Sequence, residues 1–454
     1  MTKYKAYPEY KDSGVEFLGL VPNEWSVKSL KNIVVIFNGS TPKSGVEEYW
    51  DGDINWITPT DLSQKSGVYL NDSQRKITNK GLDSCGTSLV PENTVILSTR
   101  APIGSLAIAG TQSCTNQGCK SLVVRNKEIS LFLYYYLSIS TSSLNNLGRG
   151  STFLELSTED LASFKVPMPN VGIGTIVSFL DHETAKIDKL IEKQQQLIEL
   201  LKEKRQAMIS HAVTKGLNPD VPMKDSGVEW LGKVPEHWSC TSLKYKANVI
   251  DCKHITAEFS DVGIPVASIG EVKNWFVNLS TAKLTSEKFY QSLIEGGRKP
   301  LAGNIIYSRN ATVGEAAIVA SDMPRFAMGQ DVCLIKTERK VIPDFILYTL
   351  KSKVIAQQLK LAMIGSTFKR INVEDIRNFS IAIPSQDEQI AIVSMLKAKL
   401  EKYDQIIENA EAMIYYIQER RTALISAAVT GKIDVRDWVA PDMQDAEEPQ
   451  ETTA

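Results

Sequence analysis

Two short GSTF segments in this chain have the composition of a phosphate-binding turn. They occupy residues 150–153 and 365–368, and basic residues adjoin both. Small residues with free N–H groups beside cations suit contact with phosphate. A plain turn into the following strand explains the same pattern equally well. The candidate contacts are Arg149, Ser151, Thr152, Ser366, Thr367, Lys369 and Arg370.

A second set of polar residues lies in or beside predicted strands. Gln117 and Gln330 recur at similar places, and a glutamine can pair bidentately with adenine. We nevertheless favour a hydrogen-bonding role in the core of a β-domain for both. Lys43, Arg100 and Arg309 lie in polar turns where they could contact a base or a phosphate. Taken singly, each of these cations is better explained as solvated surface charge.

The sequence contains no recognisable catalytic or metal-binding motif. It has no GxxxxGK[ST] phosphate loop, and its six cysteines and four histidines show no zinc-ligand spacing. Pro219-Asp220 and Asp251-x-Lys253 loosely match a nuclease pattern, but they fall in separate segments. We therefore expect reduced thiols and a chain that is no enzyme by itself and binds no metal.

The elements that must position these residues occur twice. Residues 11–25 read KDSGVEFLGLVPNEW and residues 224–238 read KDSGVEWLGKVPEHW, which is identity at 11 of 15 positions. GSTF and the pair IVSFL and IVSML repeat at similar offsets. The two KDSGVE motifs lie 213 residues apart. A repeat unit of this length is too long for a solenoid, so the sequence predicts two homologous domains related by a pseudo-twofold axis.

Each copy combines strand-like segments with one long helix. Residues 93–110 and 303–320 show short β-branched runs interrupted by Gly, Pro and Asn, which predicts a mixed α/β domain. A heptad pattern of apolar residues then runs from 173 to 212 and recurs 216 residues later, with Arg205 and Arg421 at the same place in both. Helices of this length extend to about 65 Å, and two such seams favour an antiparallel coiled coil.

The order of the repeats also predicts that the fold closes on itself. KDSGVEW follows the first long helix, so the N-terminal KDSGVEF must lie where the second helix ends. We interpret Trp25 and Trp238 as structural anchors at the ends of the coiled coil. The predicted segments are a repeat motif (1–25), a first mixed α/β domain (26–170), a first long helix (171–217), a linker with the second motif (218–238), a second mixed α/β domain (239–385), a second long helix (386–433) and an acidic, disordered tail (434–454).

Composition sets bounds on the class of protein without naming its function. The chain has 454 residues and a net charge of -2, but residues 238–375 carry 18 Lys and Arg against 13 Asp and Glu. Basic groups gathered on one surface of such a chain could bind nucleic acid. No apolar run approaches the length of a membrane span, and the first residues lack a signal-peptide pattern, so we expect a cytoplasmic location without membrane contact.

Taken together, these motifs resemble the DNA-specificity (S) subunit of type I restriction-modification systems. The resemblance rests on both DSGVE motifs, on GSTPKSGVEEYWDGDINWITPTDL at 39–62, on both GSTF segments and on the helices that end in AVT. It implies two target-recognition domains that each read one half of a split sequence in double-stranded DNA. The second copy departs from the first, since IDCKHITAEFSDVGIPVASIGEV at 250–272 replaces GSTPK and its continuation.

The resemblance also implies partners and cofactors. The paired helices would set the spacer and dock two modification subunits that bind S-adenosylmethionine and methylate adenine. Motor-nuclease subunits that use ATP and Mg²⁺ are an optional addition. Two other classes stay open on the residues alone: a scaffold with two protein-binding heads, and a nuclease or methyltransferase that acts without partners.

Overall fold

The computed structural model describes residues 4–65, 67–100, 102–148, 154–363 and 370–440. The chain divides into two compact units, unit 1 (Met1–Lys193 with Met413–Ala454) and unit 2 (Gln194–Ala412). Each unit contains short strands, short helices and part of both long helices. The predicted mixed α/β class with two homologous halves is therefore confirmed.

Unit 1 contains the first twelve strands of the chain. They are β1 (Tyr10–Asp12), β2 (Leu20–Pro22), β3 (Ser26–Ser29), β4 (Val35–Asn38), β5 (Trp50–Ile57), β6 (Tyr69–Leu70), β7 (Lys76–Ile77), β8 (Val95–Ser98), β9 (Leu106–Ala109), β10 (Ser113–Thr115), β11 (Cys119–Val123) and β12 (Lys165–Met168). Its helices are α1 (Pro59–Gln64), α2 (Asn79–Asp83), α3 (Lys127–Ser138), α4 (Thr141–Leu147), α5 (Thr158–Ser163) and the first part of α6 (Ile173–Lys215). Helix α1 starts with a capping box between Thr58 and Asp61, followed by Pro59 at its first position.

Unit 2 repeats most of this order of elements, although its described residues contain no counterpart of α1. Its strands are β13 (Met223–Asp225), β14 (Lys233–Pro235), β15 (Ser239–Ser242), β16 (Ala247–Asp251), β17 (Phe259–Ser260), β18 (Ile264–Ala267), β19 (Lys283–Thr285), β20 (Ile305–Ser308), β21 (Ala316–Ile318), β22 (Ala327–Met328), β23 (Val332–Thr337) and β24 (Ser380–Ile383). Its helices are α7 (Glu287–Ile294), α8 (Pro343–Leu350), α9 (Lys353–Ala362), α10 (Val373–Arg377) and most of α11 (Gln386–Val429), whose C-terminal part belongs to unit 1.

The two units share their sheet topology even where their sequences differ. The strand order β4-β11-β8-β9 of unit 1 corresponds to β16-β23-β20-β21 of unit 2, with antiparallel neighbours in both. A second sheet, β10-β5-β7, corresponds to β22-β18-β19, and the first pair in each is parallel. The segment 250–272, which has no sequence counterpart of GSTPK, therefore still enters an equivalent sheet. The repeat is more complete in structure than in sequence.

The heptad residues of both long helices face inward. Every position of the predicted register from 173 to 212, and from 393 to 428, is buried or half-buried. In unit 2 the Arg205 and Asp404 side chains form an ion pair. A cavity of about 460 Å³ is lined by Ala207, Met208, His211 and Ala212 of α6 and by Met395 and Lys399 of α11. Residue numbers thus rise along α6 as they fall along α11, which is the predicted antiparallel pairing within this unit.

Unit 1 contains the matching ion pair, in which Arg421 Nε and Nη2 lie 2.8 and 3.2 Å from the two carboxylate oxygens of Asp188. Asp188 and Asp404 differ by 216 in number, as do Arg205 and Arg421. The repeat therefore preserves both the charges and the register of the helix pair in each unit.

The predicted closure of the fold is also present within unit 1. The Asp434 N–H donates to the Lys5 carbonyl at 2.7 Å, and the Tyr10 hydroxyl donates to the Gly431 carbonyl at 3.0 Å. The Arg436 guanidinium reaches Glu24 at 2.7 Å. The N-terminal repeat motif thus joins the end of the second long helix.

One predicted boundary is wrong. Residues 434–440 belong to the folded part of unit 1, because Val435 is buried and the ring of Trp438 packs edge-on against Phe179 at 5.7 Å between centroids. The composition of this stretch is acidic, but its apolar residues dock on the core. The rest of the predicted acidic tail, 441–454, lies outside the described residues. Among the described helices, none has the length and apolarity that a membrane span requires.

Candidate nucleic-acid interface

The two recurring glutamines occupy equivalent exposed turns. Gln117 lies between β10 and β11, and its side-chain carbonyl accepts a hydrogen bond from the Thr41 hydroxyl. Gln330 lies between β22 and β23, and its side-chain amide donates to the Thr256 hydroxyl at 3.0 Å. The core role favoured from the sequence is therefore wrong for both, because each side chain leaves a turn and not a strand interior.

A close backbone approach positions the first of these pairs. The Ser40 N–H donates to the Thr115 carbonyl at 3.0 Å, and a Cβ on Gly39 would lie 1.8 Å from the Asn116 carbonyl oxygen. Only glycine fits at this contact, so the 39–43 loop can lie directly against the turn that carries Gln117. The amide nitrogen of Gln117 remains available to a ligand while its carbonyl is held by Thr41.

Lys43 and Arg100 both lie at the surface of unit 1. Lys43 is exposed, and its backbone carbonyl accepts a hydrogen bond from the Trp50 indole at 3.3 Å. The Arg100 Nε lies 3.1 Å from Glu155 Oε1, in a pair whose side chains are 47% and 44% exposed. Surface pairs of this kind contribute little to stability, so Arg100 could exchange Glu155 for a phosphate.

Arg309 differs from both sequence interpretations, since it is neither a surface charge nor an exposed contact. Its side chain is only 4% exposed, and Nη2 lies 2.9 Å from Asp251 Oδ1 and 3.7 Å from Cys252 Sγ. The Arg309 backbone occupies the place of Thr99 in unit 1, because the N–H of each donates across the sheet at 2.8 Å, to Asp331 and Gly118 respectively. The arginine is thus displaced by one residue relative to Arg100, and that displacement turns it inward.

Asn310 is therefore the counterpart of Arg100. It forms a β-bridge with Arg370, as Arg100 does with Glu155. These bridges lie directly after the two GSTF segments. The other candidate phosphate contacts, Arg149, Ser151, Thr152, Ser366, Thr367 and Lys369, lie outside the described residues.

The residues around Arg309 form a compact polar cluster at the end of β16. His254 Nε2 lies 3.2 Å from Asp251 Oδ2, and its Nδ1 lies 3.8 Å from Cys252 Sγ. Burial, together with the nearby Asp251 carboxylate, raises the pKa of Cys252 to about 11. The side-chain ligand atoms of Asp251, Cys252 and His254 lie close enough together to face one cation, but the Arg309 guanidinium already supplies positive charge at this place.

The remaining residues of the loose nuclease pattern have other partners. The Lys253 ammonium contacts the Glu295 carboxylate and the Ser292 hydroxyl. The Asp220 backbone N–H is hydrogen-bonded to Asn218 at 3.0 Å, in the exposed turn after α6. The Lys253 side chain therefore has a structural role.

Trp25 and Trp238 are buried at equivalent helix ends. The Trp238 indole N–H lies 3.1 Å from both carboxylate oxygens of Glu388, and its ring approaches Gly216. Trp25 packs beside Gly431 and makes edge contacts with Tyr7 and Phe132. Neither ring is placed for stacking on a base.

One exposed cation in unit 1 was not singled out from the sequence. The Arg75 guanidinium carbon lies 3.7 Å from the centroid of Trp50 and 5.9 Å from that of Trp56. This stacking depends on the pairing of β5 with β7, which includes a register shift between Trp50 and Ile54. No spacing along the sequence reveals such a contact, although the two tryptophans of strand β5 were a signal that the segment carries an aromatic face.

Two units with corresponding sheets place the chain in a class of proteins built from tandem homologous domains. The family model for the type I restriction modification DNA specificity domain matches residues 22–200 and 240–414. The chain therefore belongs to this family, and the matched ranges are its two copies of the domain. The resemblance inferred from the repeated motifs is confirmed.

Individual relatives agree with this assignment. The chain is 28% identical to the type I restriction enzyme MjaIX specificity subunit of Methanocaldococcus jannaschii, over 96% of this chain and 99% of that protein. It is 24% identical to the EcoBI specificity subunit of Escherichia coli, over 72% and 70% of the two chains. A solved chain from work on the assembly of a type I restriction-modification system has a similar fold, with a TM-score of 0.69, 14% identity and coverage of 91% of this chain and 99% of that one.

Proposed function

We propose that each unit of this specificity subunit reads one half of a bipartite target in double-stranded DNA. The observation that carries the proposal is the exposed Gln–Thr pair that recurs at the same turn of both units. A glutamine held at one side-chain atom loses less rotational freedom on binding than a free one, so it suits contact with a base edge. The surroundings of the two glutamines differ, since unit 1 has the Trp50–Arg75 stack and unit 2 has the Arg309 cluster. The two half-sites therefore differ.

In this proposal the chain performs no chemistry and holds no cofactor. The modification subunits bind S-adenosylmethionine and methylate adenine, and motor-nuclease subunits that use ATP and Mg²⁺ join where the system also cleaves. The helix pair sets the number of unread base pairs between the half-sites, and this number should change with the number of residues in the helices.

Exposed apolar residues on the long helices support the docking of two modification subunits. Leu190, Leu197 and Leu200 are exposed on α6, and their counterparts 216 residues later, Ile406, Met413 and Tyr416, are exposed on α11. Large apolar side chains exposed at repeat-related positions are typical of protein interfaces. Because the same set occurs twice, we assign one modification subunit to each set, and the docking surfaces are homologous.

Mapping of methylated adenines in the source cell tests the reading function. Gln117→Ala and Gln330→Ala should each relax specificity at one position in one half-site, by about 2- to 12-fold, since one hydrogen bond to a base edge contributes about 0.5–1.5 kcal/mol. Gln357→Ala is the matched control, because Gln357 is also exposed but lies on α9, away from the two turns. A methylation motif that survives deletion of the chain, or that is unchanged in both glutamine variants, contradicts the proposal.

A further inference from the structure

The Arg75 guanidinium lies over an aromatic surface. It lies over the Trp50 ring, and the two indoles are nearly perpendicular, at 83° with centroids 5.1 Å apart. Both tryptophans are buried. A cation held over a tryptophan face is favoured electrostatically, and a planar guanidinium also gains from stacking. The Arg75 side chain is therefore ordered before any ligand arrives.

The same aromatic pair connects Arg75 to the candidate interface. The Trp50 indole donates to the Lys43 carbonyl at 3.3 Å, and the Trp56 indole donates to the Ser40 carbonyl at 2.9 Å. The 40–43 loop between these acceptors contains Thr41, which is hydrogen-bonded to Gln117. Arg75 and the glutamine are thus positioned by one continuous set of contacts in unit 1.

The donor edges of Arg75 are free to bind a ligand. Across the described parts of the chain, no carboxylate or other acceptor engages its side chain, which is exposed. Arg325 in unit 2 provides a contrast, since it also lies over an aromatic ring, that of Tyr290, at 5.3 Å. Its two terminal nitrogens, however, lie 3.2 and 2.9 Å from the carboxylate oxygens of Glu287, so its donor fork is occupied.

We propose that Arg75 determines specificity by reading a guanine in the half-site of unit 1. A guanidinium that lies over a ring keeps its N–H groups uncovered, and two of them can donate to O6 and N7 of guanine, the commonest specific arginine contact. A lysine cannot provide this planar fork. The inference rests on the proposed function, because it names one base that the first recognition domain selects.

The test compares Arg75→Lys and Arg75→Ala with the unaltered chain, together with Arg325→Ala as the matched control. Each is placed in the source cell, methylated adenines are mapped, and binding of the full chain is measured on duplexes with single base changes in each half-site. We expect the unaltered chain to require a guanine at one position of one half-site. Both Arg75 variants should lose about 5- to 150-fold of that discrimination while the other half-site is still read, and Arg325→Ala should retain all of it.

Three outcomes would overturn the inference. The first is an unchanged motif in both Arg75 variants. The second is a half-site that contains no required G·C pair. The third is a uniform loss of affinity for every duplex with a shallower salt dependence, which would indicate a phosphate contact. If the unaltered chain directs no sequence-specific methylation, the proposed function itself fails, so the two failures are distinguishable. Continued reading of the second half-site shows that each variant is folded.

Discussion

Substitution of the glycines at the junctions between the repeat motif and the long helices should give a graded loss of stability. Gly431 ends α11 with φ +72°, and a Cβ there would lie 2.4 Å from both Cδ and Cγ of Pro22. Gly14 has a similar φ of +68°, but an added Cβ would meet no atom within 4 Å. The two positions therefore separate the cost of a left-handed backbone from the cost of a steric clash.

The backbone term is common to both variants, at about 1–2 kcal/mol for an alanine in the left-handed region. Gly431→Ala adds the cost of overpacking a rigid proline ring, typically about 1–3 kcal/mol. We therefore expect Gly14→Ala to lose about 1 kcal/mol and Gly431→Ala about 3 kcal/mol. For a unit of this size, 1 kcal/mol corresponds to about 2–4 °C in Tm.

Unit 2 provides an intermediate case. Gly216 is the counterpart of Gly431, but an added Cβ would meet the end of the flexible Glu388 side chain at 3.0 Å and Trp238 at 3.3 Å. Gly216→Ala should therefore cost less than Gly431→Ala and more than Gly227→Ala, whose position is open at φ +71°. Thermal unfolding of the full chain, followed by circular dichroism, measures the series. Equal losses for Gly431→Ala and Gly14→Ala would refute the packing of the repeat motif against the helix end.

Two further predictions concern the other contacts described. Asp251→Asn should lower the free energy of unfolding, measured in urea, by about 2–4 kcal/mol, because it leaves the buried charge of Arg309 without its partner. Arg100→Ala, at an exposed ion pair, should lower it by less than about 1 kcal/mol. Equal losses in the two variants would contradict the difference in burial. Leu190→Lys and Ile406→Lys should each give a complex with one modification subunit instead of two. The mass of the co-purified complex in native mass spectrometry measures this number. Two retained subunits in both variants would exclude these positions from the docking surface.

Periodicity and repetition predict the frame of this protein well. The heptads of α6 and α11 mark the buried face residue by residue, since a helix has one period and one seam. The closure of the N-terminal motif on the end of α11 follows from the order of the motifs, although Asp434, which makes the contact, belongs to the predicted tail. By contrast, the Arg309 side chain points into the core because the arginine is displaced by one residue at the end of strand β20. Where the flanking turn is irregular, the sequence does not show which of two neighbouring residues faces the core.

The residues of the candidate nucleic-acid interface were less predictable from the sequence than the long helices and their closure. Gln117 and Gln330 were recognised as a repeated pair, but their exposure depends on the turns that follow β10 and β22. Arg75 lies over Trp50 because of a strand pairing that crosses a bulge, and whether a carboxylate contacts its side chain depends on residues that are distant in sequence. The candidate recognition residues lie on loops between the repeated elements of the fold, so their orientations are set by contacts that are distant in sequence.

The junction between repeat motif and helix end has a consequence for the connectivity of the chain. In unit 2 the residues after α6 continue without a break through 217–221 into β13, and this turn is exposed. In unit 1 the corresponding passage is made by two separate segments, joined by the hydrogen bond between Lys5 and Asp434. At equivalent places, the repeat motif is thus connected to the helix end by a covalent turn in unit 2 and by noncovalent contacts in unit 1. A circular permutant opened at 218–219, with residues 440 and 4 linked, should keep every element in its place, because the order in which the two units are synthesised is not what specifies either of them.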